Sequence, residues 1–445
     1  MSKLSRATGT GAGMECVSES LAYWTQPIQE FAIDEYYFSE YTPVNSINSS
    51  SDLILFEIPQ SSDFMDLCES LLMVNLKITQ ADGSNLPAFT YTAAVGNTAA
   101  TGNSVGFIQS PISSIFSALD VRINGSSVSD SYNTYNYLAY FQLLLNFSKD
   151  AMNTRLSPLG YFVDKNPGVL RAEQAAPSSG FKTRANLTKE STLKTFIGPI
   201  FHSLFSQNRL LPPLTPLTLE FKKATNAFAL KGNTTDACIY HIDSIKLLMK
   251  KVKVLPTFKL EFEKKLMKSP LMLPLSNASV KPIHIPANVK EISFDNIFSG
   301  RSLPTWCCIG LVDQSHYRGN YQSSPYYFGH FNLTSLKISY DSTIQPSPNG
   351  FFMNYGDTNP DWTLAYMSLF NNWRLKVDAG SSISMEEYPN GFALYSIEFG
   401  NERGILNDHT SKKRNASARL DLTFATTSTN PALTLLIYFE SDEVG

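Results

Sequence analysis

The stretch ARLDLTFATTSTNPALTLLIYFE, from Ala418 to Glu440, decides how this chain is read. Ala418, Leu420, Leu422 and Phe424 alternate with Arg419, Asp421 and Thr423, and Leu433, Leu435, Ile437 and Phe439 alternate with Thr434, Tyr438 and Glu440. Successive side chains of an extended backbone point to opposite faces, so a period of two with one apolar set is the mark of a half-buried strand. Two such strands close the chain, and the charged run Ser441-Asp442-Glu443 then discourages further pairing.

Working outward, the same strand-rich programme occurs twice. In the first half, Leu53 to Ile58 is a short apolar run, and Leu72, Val74, Leu76 and Ile78 oppose Met73, Asn75, Lys77 and Thr79. Ser114 to Ile123 reads as a strand ending at Asn124-Gly125, a strong two-residue hairpin signal. Leu217, Leu219 and Phe221 alternate with Thr218, Glu220 and Lys222, and Tyr240 to Val254 forms a long final strand. Between them, Leu138, Phe141 and Leu145, widened by Tyr137, Leu144 and Phe147, predict one amphipathic helix over Tyr132 to Phe147. The second half repeats this order. Val280 to Ile285, Lys290 to Phe298, Thr305 to Val312 and the alternation Leu336, Ile338, Tyr340 read as strands. Asn359-Pro360 reads as an N-cap followed by Pro at the first helical position. It opens a helix over Trp362 to Trp373 with Trp362, Tyr366, Leu369, Phe370 and Trp373 on one face. Phe258 to Met267 has helical spacing and stops at Pro270. The expected organisation is all-β: an N-terminal arm over 1–50, a first sandwich over 51–256, a joint over 257–275 and a second sandwich over 276–445. Residues 84–106 read as a loop and 149–190 as a long aperiodic excursion suited to a contact between copies.

Composition agrees. A chain of 445 residues is too long for one ordinary core, and two domains of roughly 200 residues are the natural division. Charged residues make up 17%, low against a typical ~25%, which suits β-structure and large protein–protein surfaces. The net charge of −3 argues against tight contact with nucleic acid over most of the surface. The five cysteines are odd in number and lack C-x-x-C spacing, so free thiols from a reducing compartment are expected. Neighbouring Cys307 and Cys308 would point to opposite faces of a strand. Met1 to Gly13 has no apolar stretch of a secretory signal, and no run of about 20 apolar residues suggests a membrane span. The pattern Asn146-Phe147-Ser148 then reads as a chance glycosylation match.

Several blocks, in order, resemble the double jelly-roll major capsid proteins of polintons (Mavericks) and adintoviruses, with more distant relatives in virophages and the adenovirus hexon type. In the first half they are LILFEIP from Leu53, FMDLCESLLMVNLKITQADG from Phe64, the helix block Tyr132 to Ser148, and SLFSQNRLLPPLTPLTLEF from Ser203. In the second they are SLPTWCCIGLVDQSHYRG from Ser302, PYYFGHFNLTSL from Pro325, AYMSLF from Ala365, ISMEEYPNGFALYSIEF from Ile383, and Ala418 to Glu440. The likeness runs from about residue 50 to the end, leaves out the loops near 84–106 and 149–190, and departs near Glu402 to Asn415. It implies two tandem eight-stranded jelly rolls, each with a short helix insertion. It further implies homotrimers with pseudo-hexagonal outlines that tile an icosahedral shell around double-stranded DNA, alongside penton and minor capsid proteins. The protein would be made in the host cell without secretion and reside in the virion, with no cofactor, no catalysis and only weak or indirect contact with the packaged DNA. Fusing two similar sandwiches also makes physical sense, since it lets a threefold object fill a sixfold slot.

No residue pattern argues for chemistry. The histidines, His202, His241, His284, His316, His330 and His409, form no H-x-H or H-E-x-x-H arrangement, so the metal set of a cupin-type enzyme is missing. Glu386-Glu387 and Asp34-Glu35 are adjacent and diverge on a strand, where an acid–base pair must converge. A secreted carbohydrate-binding sandwich would call for a signal and paired cysteines. Two sets of residues are candidate assembly contacts. Tyr36, Tyr37, Phe38 and Tyr41 form either a local staple or a strap between subunits, and their place before the first expected strand favours the strap. Lys251 and Lys253, with Lys246 and Lys250 nearby, either face the packaged DNA or form a solvated strand end with interdomain salt bridges. Lys412-Lys413-Arg414 reads as a solvated loop tip.

Overall fold

The computed structural model of the chain describes residues 32–47, 51–87, 105–128, 133–164, 179–207, 209–232, 238–271, 274–298, 303–370, 381–399, 416–425 and 431–444. The readings made for residues 1–31, for Cys16, for most of the 84–106 loop, for Trp373, for His409 and for Lys412-Lys413-Arg414 lie outside these residues.

The strands expected from alternation form, and the structure adds others that the pattern did not mark. The first half contains β1 (Ile33–Tyr41), β2 (Leu53–Ile58), β3 (Phe64–Gln80), β4 (Phe116–Ile123), β5 (Ser126–Ser127), β6 (Lys194–Pro199), β7 (Leu217–Lys223) and β8 (Cys238–Val254). They form two antiparallel sheets, ordered β1-β8-β3-β6 and β2-β7-β4-β5. Consecutive strands thus fall in different sheets or wrap around them, which is the winding of a jelly roll. The second half contains β9 (Pro274–Ile285), β10 (Glu291–Phe294), β11 (Trp306–Asp313), β12 (Leu333–Tyr340), β13 (Thr343–Gln345), β14 (Leu394–Glu398), β15 (Ala418–Phe424) and β16 (Leu433–Val444). Its sheets run β9-β16-β11-β14 and β10-β15-β12-β13, the first half's order shifted by eight. The fold is therefore a double jelly roll. The hairpin between β4 and β5 turns at Asn124 and Gly125, both with positive φ (51° and 82°), which is the backbone a two-residue hairpin demands of Asn-Gly.

Four expectations need correction. The arm over 1–50 is not all arm, because residues 33–41 are strand β1, hydrogen-bonded along β8 from Ile33↔Val254 to Tyr41↔Leu247. Clustered aromatics hid a strand whose alternation is spoiled by exposed acids at Asp34 and Glu35. The expected amphipathic helix forms as α1 (Tyr135–Asn146), but it is buried nearly all round, with Tyr137, Tyr140, Phe141, Leu143 and Leu144 at most 2% exposed. A helix wrapped on every side belongs inside, and α1 lies between the two rolls. The excursion over 149–190 is not structureless: it contains a short helix at Lys149–Asn153 and α2 (Ser179–Leu187). Finally, Asn359 is no N-cap. It sits in the left-handed region (φ 50°), and Asp361 accepts from Thr363 N (3.1 Å) at the start of the shorter helix Thr363–Ser368.

The joint is a helix, α3 (Pro256–Leu266), as its spacing predicts. Buried apolar residues of both rolls belong to one contiguous cluster, because α1 bridges their cores.

Candidate assembly surfaces

The seam between the rolls is built from aromatic side chains. Phe141 stacks on Tyr438 of β16 (5.4 Å between centroids) and packs on Phe328 (5.1 Å). Tyr140 stacks on Tyr326 at 4.0 Å, and Tyr137 stacks on Tyr317 at 5.5 Å. Hydrogen bonds cross with them. Tyr137 donates to Tyr317 O (2.9 Å), Tyr326 donates to Asn136 O (3.2 Å), and Thr134 donates to Val280 O (2.9 Å). Burial pushes the hydroxyls of Tyr137, Tyr140 and Tyr326 well above the ordinary tyrosine value, so they stay protonated donors. Gly319 (φ 99°) lets the second roll's loop come so close to Phe228 that a Cβ there would sit 2.4 Å from the Phe228 backbone. Sequence reading found Phe141 but missed the residues that meet α1 across the seam: Tyr317, at the end of a four-residue helix, and Tyr326 and Phe328, in a loop with no period to betray them.

A second buried group anchors the excursion. Arg184 of α2 donates to Phe107 O (2.9 Å), Phe162 O (2.8 Å) and Asp164 Oδ2 (2.8 Å), so this buried cation is fully partnered. Nothing local marked Arg184 as interior.

The aromatic candidates of β1 divide by face. Tyr37 and Tyr41 point inward. Tyr37 donates to Asp63 (2.7 Å), and that bond, with partial burial, pushes its hydroxyl up to about 12. Tyr36 and Phe38 point outward and are each 54% exposed, with Lys250 Nζ 4.7 Å from the Tyr36 ring. The lysine candidates also separate, which corrects their reading as a solvated strand end with interdomain salt bridges. Lys251 is only 9% exposed, its Nζ 3.3 Å from Ser61 Oγ and 5.6 Å from the Tyr41 ring. Lys253 is exposed and lies 3.2 Å from Asp34 and 3.8 Å from Glu35. Lys246 pairs with Glu40 (3.0 Å), and Lys250 pairs with Asp66 (3.6 Å) and Glu69. These pairs tie β8 to β1 and β3 inside the first roll rather than linking the domains.

The remaining singled-out residues have structural partners. Glu387 accepts from Ser384 N (3.1 Å) and lies 3.5 Å from Lys149. His202 accepts from Leu204 N, His241 bonds Thr79, and His330 stacks on Tyr355 at 4.2 Å. Cys307 and Cys308 are buried, and burial pushes both thiols above their ordinary range. Among the described residues, no three of His, Cys, Asp and Glu form a metal-holding group, and no helix is long and apolar enough to cross a membrane.

Among the described residues, exposed apolar side chains include the outward Tyr36 and Phe38, Leu260 of α3 with Met267 just after it, Leu364 and Met367 of the helix α4 (Thr363–Ser368), and scattered positions such as Val44, Leu214 and Phe352. Helix α3 touches the first roll through Phe262 on Phe64 (5.1 Å) and buries none of its residues.

No protein-family model matches the chain. An uncharacterised protein of Caenorhabditis elegans is 22% identical over 343 residues, covering 74% of this chain and 77% of the relative. Among solved structures, a chain of the Sputnik virophage, determined by cryo-EM, matches with a TM-score of 0.61 over 97% of this chain and 91% of that one at 13% identity. The Faustovirus major capsid protein matches with a TM-score of 0.57 over 95% of this chain and 92% of its own at 9% identity. At such identities the likeness is one of fold, and that fold is the double jelly roll.

Proposed function

We infer that this chain is a major capsid protein of the polinton and adintovirus type, whose work is self-assembly rather than catalysis. Three copies associate into a capsomer of six rolls, and capsomers tile an icosahedral shell around double-stranded DNA with penton and minor capsid proteins at its special positions. The observation that carries the reading is the fusion of two rolls with the same strand order about the buried helix α1, in a fold shared nearly end to end with viral capsid proteins. A relative among the proteins of a nematode favours an element of the kind carried in animal genomes. Lys246, Lys250 and Lys253 of β8 are paired with acids of the first roll and Lys251 is buried, which supports weak or indirect contact with DNA.

Mass photometry of the expressed 49.4 kDa chain should give a stable species of three chains, and negative-stain microscopy should show near-hexagonal particles. Material that stays one chain per particle across salt and concentration overturns the reading.

A further inference from the structure

The chain contains three Asn-Gly pairs, beginning at Asn124, Asn349 and Asn390. In such a pair the backbone nitrogen of the glycine can attack the side-chain amide carbon of the asparagine, because no Cβ stands in the way. The attack expels ammonia and closes a cyclic imide, which water opens to aspartate or isoaspartate. Water is the only co-reactant. The dipeptide is the same in all three places, so local sequence does not separate them. Their surroundings in the fold do.

Two of the pairs are held. Gly350 N donates to Ser347 O (2.9 Å), and Gly350 O accepts from Ser347 Oγ (2.7 Å). Gly350 also lies against β12, where a Cβ would sit 2.7 Å from Leu336 O. The side-chain amide of Asn390 donates to Glu386 O (3.0 Å), its backbone N donates to Glu387 O (2.9 Å), and Gly391 O accepts from Phe328 N (2.9 Å). Attack at either pair has to give up a bond that the fold makes, and one such hydrogen bond is worth about tenfold in rate. Asn124-Gly125 is different. It is the exposed tip of the β4–β5 hairpin. Asn124 N donates to Pro216 O (3.2 Å), but among the described residues neither the Asn124 side chain nor Gly125 N has a partner. A Cβ on Gly125 would meet nothing within 4 Å. The tip therefore has room for the side chain to swing onto Gly125 N and for water to reach the imide.

We propose that Asn124 is a self-modification site: the folded chain converts this asparagine to aspartate or isoaspartate without an enzyme, while Asn349 and Asn390 are spared. The product makes a chain of formal net charge −3 one unit more negative. The new carboxylate falls next to Gly125, which borders a groove with Asp120, Arg122, Glu220 and Lys222, where Arg122 holds Asp120 (2.7 Å) and Glu220 (3.5 Å). Isoaspartate also threads an extra carbon into the backbone of the hairpin, so aged copies differ from new ones in charge and in surface shape. The inference is independent of the capsid reading.

Wild-type protein aged in mildly alkaline buffer, beside a sample unfolded in guanidinium chloride, tests this. Peptide mapping with isoaspartyl methyltransferase labelling follows the three sites, and heavy-oxygen water marks product formed through the imide. In the folded sample the Asn124 peptide should convert about ten times faster than the Asn349 and Asn390 peptides. In denaturant the three rates should converge, because the fold no longer separates them. Asn124→Gly, which keeps the left-handed turn, should lose the acidic form that isoelectric focusing resolves in aged wild-type protein. Folded protein in which Asn124 stays intact, or in which Asn349 or Asn390 converts as fast as Asn124, overturns the proposal. So does a ranking that persists in denaturant, since local sequence and not the fold would then set it.

Discussion

Phe141 is wholly buried and packs against Phe328 and Tyr438, both from the other roll. Truncating such a ring removes its burial and leaves a cavity that neighbours from two rolls cannot easily fill. Phe141→Ala is expected to cost about 3–5 kcal/mol of unfolding free energy in urea titrations. A loss below about 1 kcal/mol would mean that the seam closes without this ring. Residue-scale reading placed Phe141 on an apolar stripe, which is correct, but a stripe does not reveal that the opposite side of the helix is buried too. The same limit explains Lys251 and Lys253. They are two residues apart on one strand, yet Lys251 lies under Tyr41 while Lys253 reaches solvent and two acids, because what lies above each position is contributed by β1.

Strand β1 shows how an element can be hidden by its own side chains. Its outward residues are large aromatics and acids, so its apolar alternation is weak, and it pairs with a strand more than 200 residues away in sequence. That pairing covers the edge of β8, and ion pairs Lys246–Glu40 and Lys253–Asp34 fasten it. Deleting residues 33–41 should expose the backbone of β8 as a long free edge and cause aggregation measurable by light scattering. A deletion chain that stays soluble with the wild-type circular dichroism spectrum would show that the edge needs no cover. By contrast, β7 and β15 were fully legible, since each alternates cleanly against a single buried face. Strand β3 begins at Phe64, ahead of its alternation, and β16 is buried on both faces over Leu433 to Phe439 and stays paired through the charged run Ser441-Asp442-Glu443. Asn359 takes a left-handed turn, which Asn tolerates as readily as it caps, so Asp361 and not Asn359 opens the helix over 363–368.

At the scale of the whole molecule, the two rolls are separate in their sheets and joined in their core. No sheet mixes strands of the two halves, yet the buried residues run without a break through α1. Two domains with a small polar interface would melt apart. These two should unfold in one calorimetric transition, with calorimetric and van't Hoff enthalpies equal. Two resolved transitions would show that the aromatic seam does not couple them. The seam leaves Leu364 and Met367 of α4 exposed in a single chain.

The amino-acid order alone determined the strand programme, its duplication and the position of the joint helix, because period and turn chemistry act over a few residues. Tertiary structure decided which aromatic strand completes the first roll, which helix is wrapped on all sides and which lysine is exposed. Those outcomes depend on partners that lie hundreds of residues away, and nothing within a local window of sequence encodes what will be packed against it.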